Sequence, residues 1–301
     1  MTRFRSTLLV ALLVCASASY AGAQELEPGA YTVSPIGVNL FNLGYTFNGG
    51  DVAFDPSLPV EDAKSRVHTL NVSLGRSISL FGRSATILVA VPIIRGHIEG
   101  LYVGDFTAVD RTGLGDVRIR LGANLYGSPA RELAEFRNTV PARTNFSAGL
   151  TVITPTGAYD SSRAINIGSN RWSFKPELAV QRSYDAWLFE FYAGAWLFTN
   201  NDDYAGGHVR SQNPVGSAQL NARYTFKPGL WLSANANFYT GGRTAIDDRV
   251  NLDFQKNSRI GSTLTVPLSP RSSFRVAVSE GAYTTIGGDF LGLSVSYQHA
   301  F

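Results

Sequence analysis

Residues 116–126 read DVRIRLGANLY, and apolar and polar side chains alternate through the whole stretch. One set comprises Val117, Ile119, Leu121, Ala123 and Leu125, and the other comprises Asp116, Arg118, Arg120, Gly122 and Asn124. Successive side chains of a β-strand point to opposite faces. The stretch therefore predicts a strand that has one apolar and one polar face.

The same alternation recurs along the chain after residue 30. It predicts about twelve strands, near residues 36–47, 66–80, 84–99, 114–126, 144–156, 171–184, 186–199, 214–226, 230–241, 254–268, 273–284 and 289–301. Tight turns alternate with longer polar loops around residues 48–63, 100–113, 157–170, 200–213 and 242–253. This pattern predicts an all-β fold, a closed antiparallel transmembrane β-barrel of about 12 strands with short periplasmic turns and longer extracellular loops.

A soluble β-sandwich is the competing interpretation. Strands of ten to fifteen residues exceed the length usual in soluble sheets. The polar face of a soluble sheet should also be rich in Lys and Glu, whereas here it consists mostly of Gly, Ser, Asn, Thr and Gln. Both observations favour a confined barrel interior. The one long connection on the turn side, residues 127–142, is predicted to hold a helical turn that Ser128 caps and Pro129 begins.

The cost of a charge in lipid assigns the two faces. An Arg on the lipid face at the bilayer midplane costs ~2–4 kcal/mol, so the polar set should face the lumen. The residues expected to line the pore are Asp116, Arg118, Arg120, Asn124, Lys175, Glu177, Glu190, Arg223, Asn235, Asn237, Asn257, Arg259 and Arg275. Arg76 and Arg182 fall in the apolar set, but each is near a tight turn, where its side chain can reach the head groups.

The last strand, FLGLSVSYQHAF (290–301), ends on an aromatic residue without a tail. In a closed barrel this strand must pair with the first, because an open edge in lipid leaves backbone groups unsatisfied. Its alternation, ending at Phe301, is also the kind of signal that the outer-membrane insertion machinery recognises. Aromatic residues near strand ends predict an interfacial girdle of Phe81, Tyr126, Tyr184, Trp187, Phe226, Trp231, Tyr297 and Phe301.

The N-terminus has the features of a secretory signal peptide. Arg3 and Arg5 precede an apolar run, and Ala21-Gly22-Ala23 forms a small-residue cleavage site. We expect cleavage after residue 23, which leaves residues 24–301 as one barrel domain. A lipid anchor at Cys15 is a weaker alternative. Cleavage removes Arg3, Arg5 and Cys15. Of the 26 basic residues, 24 remain against 23 acidic residues, and the mature chain contains no cysteine. A disulfide framework is thereby excluded, and nucleic acid is not an expected partner.

Two interpretations of the charged interior remain open. The charges could pair across the lumen and close it, or they could line a narrow pore, which we favour because twelve strands lie between filled and open barrels. Excess cations would make such a pore prefer anions.

Catalytic motifs are missing from the sequence. It contains no G-x-S-x-G, no Walker loop and no H-E-x-x-H motif, and its four histidines are scattered. We therefore expect neither an enzyme nor a cofactor nor a metal site. The acidic pairs Asp202-Asp203 and Asp247-Asp248 are expected to be hydrated loop residues.

Several stretches resemble one bacterial family. They are FDPSLPVEDA (54–63), GLGDVRIRLGANLYGSPA (113–130), NIGSNRWSFKPELAV (166–180), TNNDDYAGG (199–207) and YTGGRT (239–244). The chain resembles the outer-membrane proteins catalogued as "putative MetA-pathway of phenol degradation". The resemblance implies an outer-membrane transporter for small compounds, aromatic ones among them. It brings no established site residues, and a polar lumen contrasts with an aromatic substrate.

Two clusters lie where long loops meet strands, Asn170-Arg171-Trp172 and Gly241-Gly242-Arg243. They could contact a solute at the outer mouth, although loop packing is the more ordinary role of such residues. Our hypothesis is an outer-membrane channel that passes small solutes. The alternatives are a lipid-modifying enzyme of the outer membrane and a closed structural or adhesive barrel.

Overall fold

The computed structural model describes residues 26–53, 60–102, 104–163 and 165–301. The predicted signal peptide and Cys15 lie outside these residues. None of the helices in the described ranges is long and apolar enough to cross a membrane.

The described residues form strands and one short helix. The strands are β1 (Asn39–Ala53), β2 (Val60–Leu80), β3 (Arg83–Tyr102), β4 (Asp105–Leu114), β5 (Arg118–Tyr126), β6 (Thr144–Ile153), β7 (Ser173–Tyr184), β8 (Trp187–Phe198), β9 (Asn201–Tyr204), β10 (His208–Gln212), β11 (Val215–Lys227), β12 (Leu230–Gly241), β13 (Thr244–Ile246), β14 (Arg249–Val250), β15 (Gln255–Ser269), β16 (Ser272–Tyr283) and β17 (Gly287–Ala300). The helix, α1, spans Leu133–Arg137 and lies between β5 and β6.

Twelve of these strands form a closed antiparallel barrel in which each strand pairs with its neighbours along the chain. They are β1, β2, β3, β5, β6, β7, β8, β11, β12, β15, β16 and β17. Each corresponds to one of the twelve segments that the alternation predicts, so the predicted fold class is confirmed. The sequence specifies the barrel because its side-chain period is two in every one of these strands.

The first and last strands close the wall, as the sequence predicts. β1 pairs antiparallel with β17 from Leu40↔Ala300 to Ala53↔Gly287. Asn39 and Phe301 extend this ladder, since the N–H of each donates to the carbonyl of the other, at 2.8 and 3.0 Å. No edge of the barrel is left open to lipid at this seam.

The extracellular loops contain strands that the sequence analysis missed. β4 pairs with the outer half of β3 and extends it above the barrel. β9, β10, β13 and β14 form a separate four-stranded sheet over the outer end of the barrel. These strands are mostly short and lie in polar segments, where alternation is too weak a signal to detect.

The helical turn in the periplasmic connection begins later than predicted. Ser128 does not cap it, because Glu132 is the N-cap residue and α1 starts at Leu133. The Ser128 hydroxyl donates instead to Asn145 Oδ1 at 2.7 Å, and its N–H donates to Asn124 Oδ1 at 3.0 Å. These bonds tie Ser128 to the bottom of the barrel wall and make it unavailable as a cap.

The outer face of the barrel is apolar, and its exceptions lie at its rim. Leu150, Leu178, Leu220, Ile260, Leu293 and others on this face are exposed. Arg182 bonds Thr144 Oγ1 at 2.5 Å and Arg76 bonds Asn39 Oδ1 at 3.2 Å, both near the periplasmic rim. His299 belongs to the aromatic girdle, because its imidazole ring stacks between the rings of Tyr297 and Phe301 at centroid distances of 6.3 and 5.9 Å.

Trp231 is an exception to the predicted girdle. Its side chain is buried, and the guanidinium groups of Arg223 and Arg275 lie 5.1 and 5.3 Å from the centre of its ring. It pairs across the wall with Thr265, which is also buried, so it faces inward. Its position one residue after the turn placed it at the right height for a girdle, but the phase of β12 points it into the lumen.

Candidate functional site in the barrel interior

The chain that precedes β1 lies inside the barrel. We call residues 26–38 the N-terminal plug. Near the periplasmic end, its Ile36 N–H donates to the Arg131 carbonyl at 2.8 Å and its Gly37 N–H donates to the Ser77 carbonyl at 2.9 Å. Further up, a Cβ on Gly261 of β15 would lie 2.6 Å from Leu26 Cδ1, so the plug reaches the wall there too.

Glu27 of the plug forms ion pairs with two arginines of the lumen. Its carboxylate pairs with Arg118, at 3.2 Å, and also with Arg120. Both arginines come from the polar face of β5, the face that the alternation in 116–126 assigns to the interior. A charge buried in an interior is costly unless it is paired, and here the partner comes from the segment before the first strand.

Tyr31 fixes the middle of the plug against the wall. Its hydroxyl donates to Glu177 Oε1 at 2.9 Å, and its ring meets the Tyr192 ring edge-on with the centroids 5.2 Å apart. A Cβ on Gly149 would come within 2.3 Å of the Tyr31 Oη. The lack of a side chain at Gly149 is therefore what makes room for Tyr31 in the wall of the lumen.

The two buried carboxylates of the wall are both satisfied. Glu177 pairs with Lys175 and, at 3.6 Å, with Arg120. Glu190 accepts from Gln181 Nε2 at 2.6 Å and from the plug at Gly29 N–H, 3.0 Å away. Wall and plug thus share one polar network. Polar groups bonded in this way hold a defined arrangement.

The other residues predicted to line the lumen have separate surroundings. Arg223 and Arg275 flank Trp231, and Arg259 Nη2 donates to Ser279 Oγ at 3.1 Å and to the Phe290 carbonyl at 2.9 Å. Asn124 contacts Asn145 at the periplasmic end, at 3.3 Å. The side chains of Asn235, Asn237 and Asn257 are buried.

Asp116 is bound to a loop and does not join the network. Its Oδ1 accepts from the Gly157 N–H at 2.7 Å, and its Oδ2 accepts from the N–H and hydroxyl of Ser169 at 2.8 and 2.6 Å. The carboxylate therefore holds the connection between β6 and β7 against the top of the wall.

A packed apolar cluster lies toward the extracellular end of the lumen. Trp196, Val215 and Tyr239 are buried together, and Ile153 and Phe198 pack against them. We call these five residues the outer chamber. They lie on the inner face because they share the phase of the buried polar residues of their strands, as Trp196 does with Glu190 in β8.

A buried arginine lies against the outer chamber. The guanidinium of Arg171 lies 4.4 Å from the centre of the Phe198 ring and donates to Gln212, whose amide donates to the Gly242 carbonyl at 3.1 Å. Burial, and secondly the nearby Arg210, lower the pKa of Arg171 to about 9. Arg171 thus remains cationic at neutral pH, beside aromatic rings.

The other residues predicted at the outer mouth do not all lie on the same face of the barrel wall. Asn170 donates to Asn201 Oδ1 at 2.9 Å. Gly241 and Gly242 have φ of +114° and +76° and bring the chain close to Pro214 and Val215. Arg243 lies 5.7 Å from the Phe254 ring. Trp172 does not join the mouth, because it is exposed and stacks on Phe174, which is on the outer face.

A serine–histidine contact on the wall bears on the enzymatic alternative. Ser272 Oγ lies 2.8 Å from His299 Nδ1 and 3.2 Å from the Tyr297 hydroxyl. In the described part of the chain, no carboxylate contacts His299. In a Ser-His-Asp triad a carboxylate orients the histidine, whereas His299 stacks between the rings of Tyr297 and Phe301.

Two features of the interior escaped the sequence analysis. The plug has no periodicity, although the acidic residue and the Pro28-Gly29 pair before the first strand could have indicated a segment with a role of its own. The outer chamber was detectable, because Trp196 and Tyr239 have the phase of the polar set. Counting aromatic residues as lipid-facing concealed them.

Comparison with known proteins identifies the family. The sequence model of the family described as "Putative MetA-pathway of phenol degradation" matches residues 48–295. The chain belongs to this family. A comparison with curated proteins finds no match.

Solved structures of outer-membrane proteins align with this chain. The COG4313 outer membrane channel from Pseudomonas putida F1 aligns with a TM-score of 0.76 at 21% identity, over 92% of this chain and 100% of that chain. The translocator domain of the autotransporter NalP from Neisseria meningitidis aligns with a TM-score of 0.51 at 11% identity, over 90% of each chain. At these identities the likeness concerns the fold, an outer-membrane β-barrel.

Proposed function

We propose that this chain is a gated outer-membrane channel for small aromatic solutes, preferentially anionic ones. The observation that supports this most directly is the outer chamber, a cluster of aromatic and aliphatic side chains inside a barrel whose water path is occupied by a polar plug. A solute would enter from outside and contact Trp196 and Tyr239. It would pass inward when residues 26–38 shift.

The chemistry of the outer chamber fits such a solute. Lys175 Nζ lies 5.8 Å from the centre of the Trp196 ring, and Arg171 lies over Phe198. Among the described residues, Trp196 Nε1 and Arg171 Nη1 have no hydrogen-bond partner. An aromatic carboxylate could stack on the rings while its oxygens accept from these donors.

The same geometry is compatible with both a polar lumen and an aromatic substrate. The polar network is concentrated where the plug contacts the wall, whereas the apolar residues lie above it. We propose that the pore-lining residues act in sequence, first the outer chamber and then the charged network around Glu27.

We also propose how the chain reaches its site. The predicted signal peptide exports it, and the strand that ends at Phe301 is recognised by the outer-membrane insertion machinery. No catalytic role is proposed for Ser272 and His299. Replacing Ser272 with Ala is expected to leave both transport and lipid composition unchanged.

Substituting Trp196 with Ala should slow the passage of an aromatic carboxylate about two- to tenfold, because a ring contact contributes ~0.5–1.5 kcal/mol. Passage of an aliphatic carboxylate of equal size should not change. The measurement is flux of benzoate and of hexanoate into proteoliposomes that contain the purified protein.

The matched control is Trp187→Ala. Trp187 is in the same strand but is exposed on the outer face and stacks on Phe189. This variant should transport both solutes as the unchanged protein does. Equal loss of benzoate flux in both variants, or loss of both solutes in Trp196→Ala, would count against the proposed substrate class.

A further inference from the structure

The outer face carries a basic cluster where β2, β3 and β4 leave the barrel. A cavity of about 240 Å³ is lined there by Arg66, His68, Arg95, His97 and Asp110. We call these residues the rim cluster. The register places them side by side, since His68 pairs with Arg95 and Arg66 pairs with His97, which in turn pairs with Asp110.

The rim cluster continues the lipid-facing wall upward. The row directly below it on the same face is Leu70, Ile93 and Leu114, which pair with one another in the same ladders and are all exposed. One row along a strand is two residues, or about 7 Å. The cations therefore lie within one or two rows of the apolar belt, at the height of the outer head groups.

Contacts within the rim cluster orient its cations without neutralising all of them. Arg66 Nη2 lies 3.2 Å from Glu99 Oε1, and His97 bonds both Glu99 and Asp110, at 3.2 and 3.0 Å. Tyr45 Oη bonds His68 Nδ1 at 2.7 Å. Within the part of the chain that the structure describes, the side chain of Arg95 has no hydrogen bond or ion pair, although it lines the cavity.

We propose that the rim cluster binds a phosphate group carried by a lipid of the outer leaflet. Arg66 and Arg95 would hold the phosphate oxygens, and His68 and His97 would contribute further donors. Guanidinium groups bind phosphate through paired N–H groups. The acyl chains of the same lipid would lie along Leu70, Ile93 and Leu114.

The position of the cavity favours a lipid over a soluble anion. It opens on the outer face, away from the lumen, so a transported solute would not encounter it. Several other outward positions near the extracellular end of the wall are aromatic, as at Trp172, Phe238 and Tyr283, all exposed. Arg66, His68, Arg95 and His97 lie side by side at one sector of the rim, directly above a lipid-contacting surface.

The test is lipid binding by the full mature protein, refolded in detergent and examined by native mass spectrometry. The probes are lipid A that bears its phosphates, lipid A from which they have been removed, and inorganic phosphate. We expect one phosphorylated lipid A per barrel, and about tenfold weaker binding in Arg66→Gln/Arg95→Gln, since two charge-assisted contacts are lost.

Two variants keep the result interpretable. Arg163→Gln/Arg249→Gln removes the same charge from exposed extracellular positions and should bind as the unchanged protein does. Arg95→Gln alone breaks no side-chain hydrogen bond or ion pair in the described chain, and heat-dependent gel mobility verifies that the variant forms the barrel. Equal binding by the rim variant, equal binding of dephosphorylated lipid A, or displacement of the lipid by equimolar inorganic phosphate would each overturn the proposal.

Discussion

Barrels that lack residues 27–33 are expected to conduct several times more current than the unchanged protein. The deletion removes Glu27, Gly29 and Tyr31, the plug residues that contact Arg118, Arg120, Glu177 and Glu190. A barrel of twelve strands has an interior between a filled core and an open pore, so water should replace the plug. Because Arg118 and Arg120 lose the Glu27 carboxylate, the open lumen should also prefer anions more strongly. Single-channel current and reversal potential in planar bilayers measure both effects.

Two point variants separate this effect from a general loss of charge. Glu27→Gln should increase the open time but less than the deletion does, because Tyr31 and Gly29 still hold the plug. Glu135→Gln changes an exposed carboxylate of α1 and should leave the current as it was. If the shortened barrel folds and conducts no better than the full chain, residues 26–38 do not block the lumen.

Placing an arginine at Leu178 should destabilise the barrel by ~2–4 kcal/mol, the cost of a cation on the lipid face near the midplane. Leu178 is at the middle of β7, and 65% of its side chain is exposed on the outer face. The measurement is the free energy of unfolding in urea for protein folded into lipid vesicles, compared with the unchanged chain.

Tyr184→Arg is the matched control for depth. Tyr184 is on the same strand and face, 68% exposed, but it adjoins the periplasmic turn. An arginine there should cost only ~0–1 kcal/mol, because its side chain can reach the interface. Arg182, two residues earlier, already does so through Thr144. Equal costs at residues 178 and 184 would show that this face does not contact lipid.

The sequence was sufficient for the wall because the wall is periodic. A side-chain period of two determines at once which segments are strands, which face each residue takes and which strand must close the barrel. Arg118 and Glu177 were assigned to the interior by phase alone, and in the structure Arg118 pairs with Glu27 and Glu177 accepts from Tyr31 of the plug. Arg76 and Arg182 point outward, and their side chains were expected to reach the rim of the barrel. In the structure both lie near the periplasmic rim.

The contents of the barrel could not be predicted in the same way. The plug has no period, and its place depends on Glu27 and Tyr31 meeting side chains more than 90 residues away in the sequence. The small sheet in the extracellular loops consists of strands that are too short to show an alternation of apolar and polar side chains. Trp231 was misassigned because height along a strand was given more weight than phase. Asp116 was expected to face the pore, but its carboxylate is occupied by loop donors that sequence distance conceals.

The central claim is that residues 26–38 lie inside the barrel, and cysteine pairs test it most directly. The only cysteine of the sequence, Cys15, is in the predicted signal peptide, so introduced thiols would be alone in the mature chain. Tyr31 packs with Ala179, whereas the adjacent Val180 belongs to the opposite face of β7. In outer membranes treated with a short bifunctional thiosulfonate, Tyr31→Cys/Ala179→Cys should cross-link and Tyr31→Cys/Val180→Cys should not. Absence of a cross-link in the first pair, or equal yields in both, would contradict a plug within the wall.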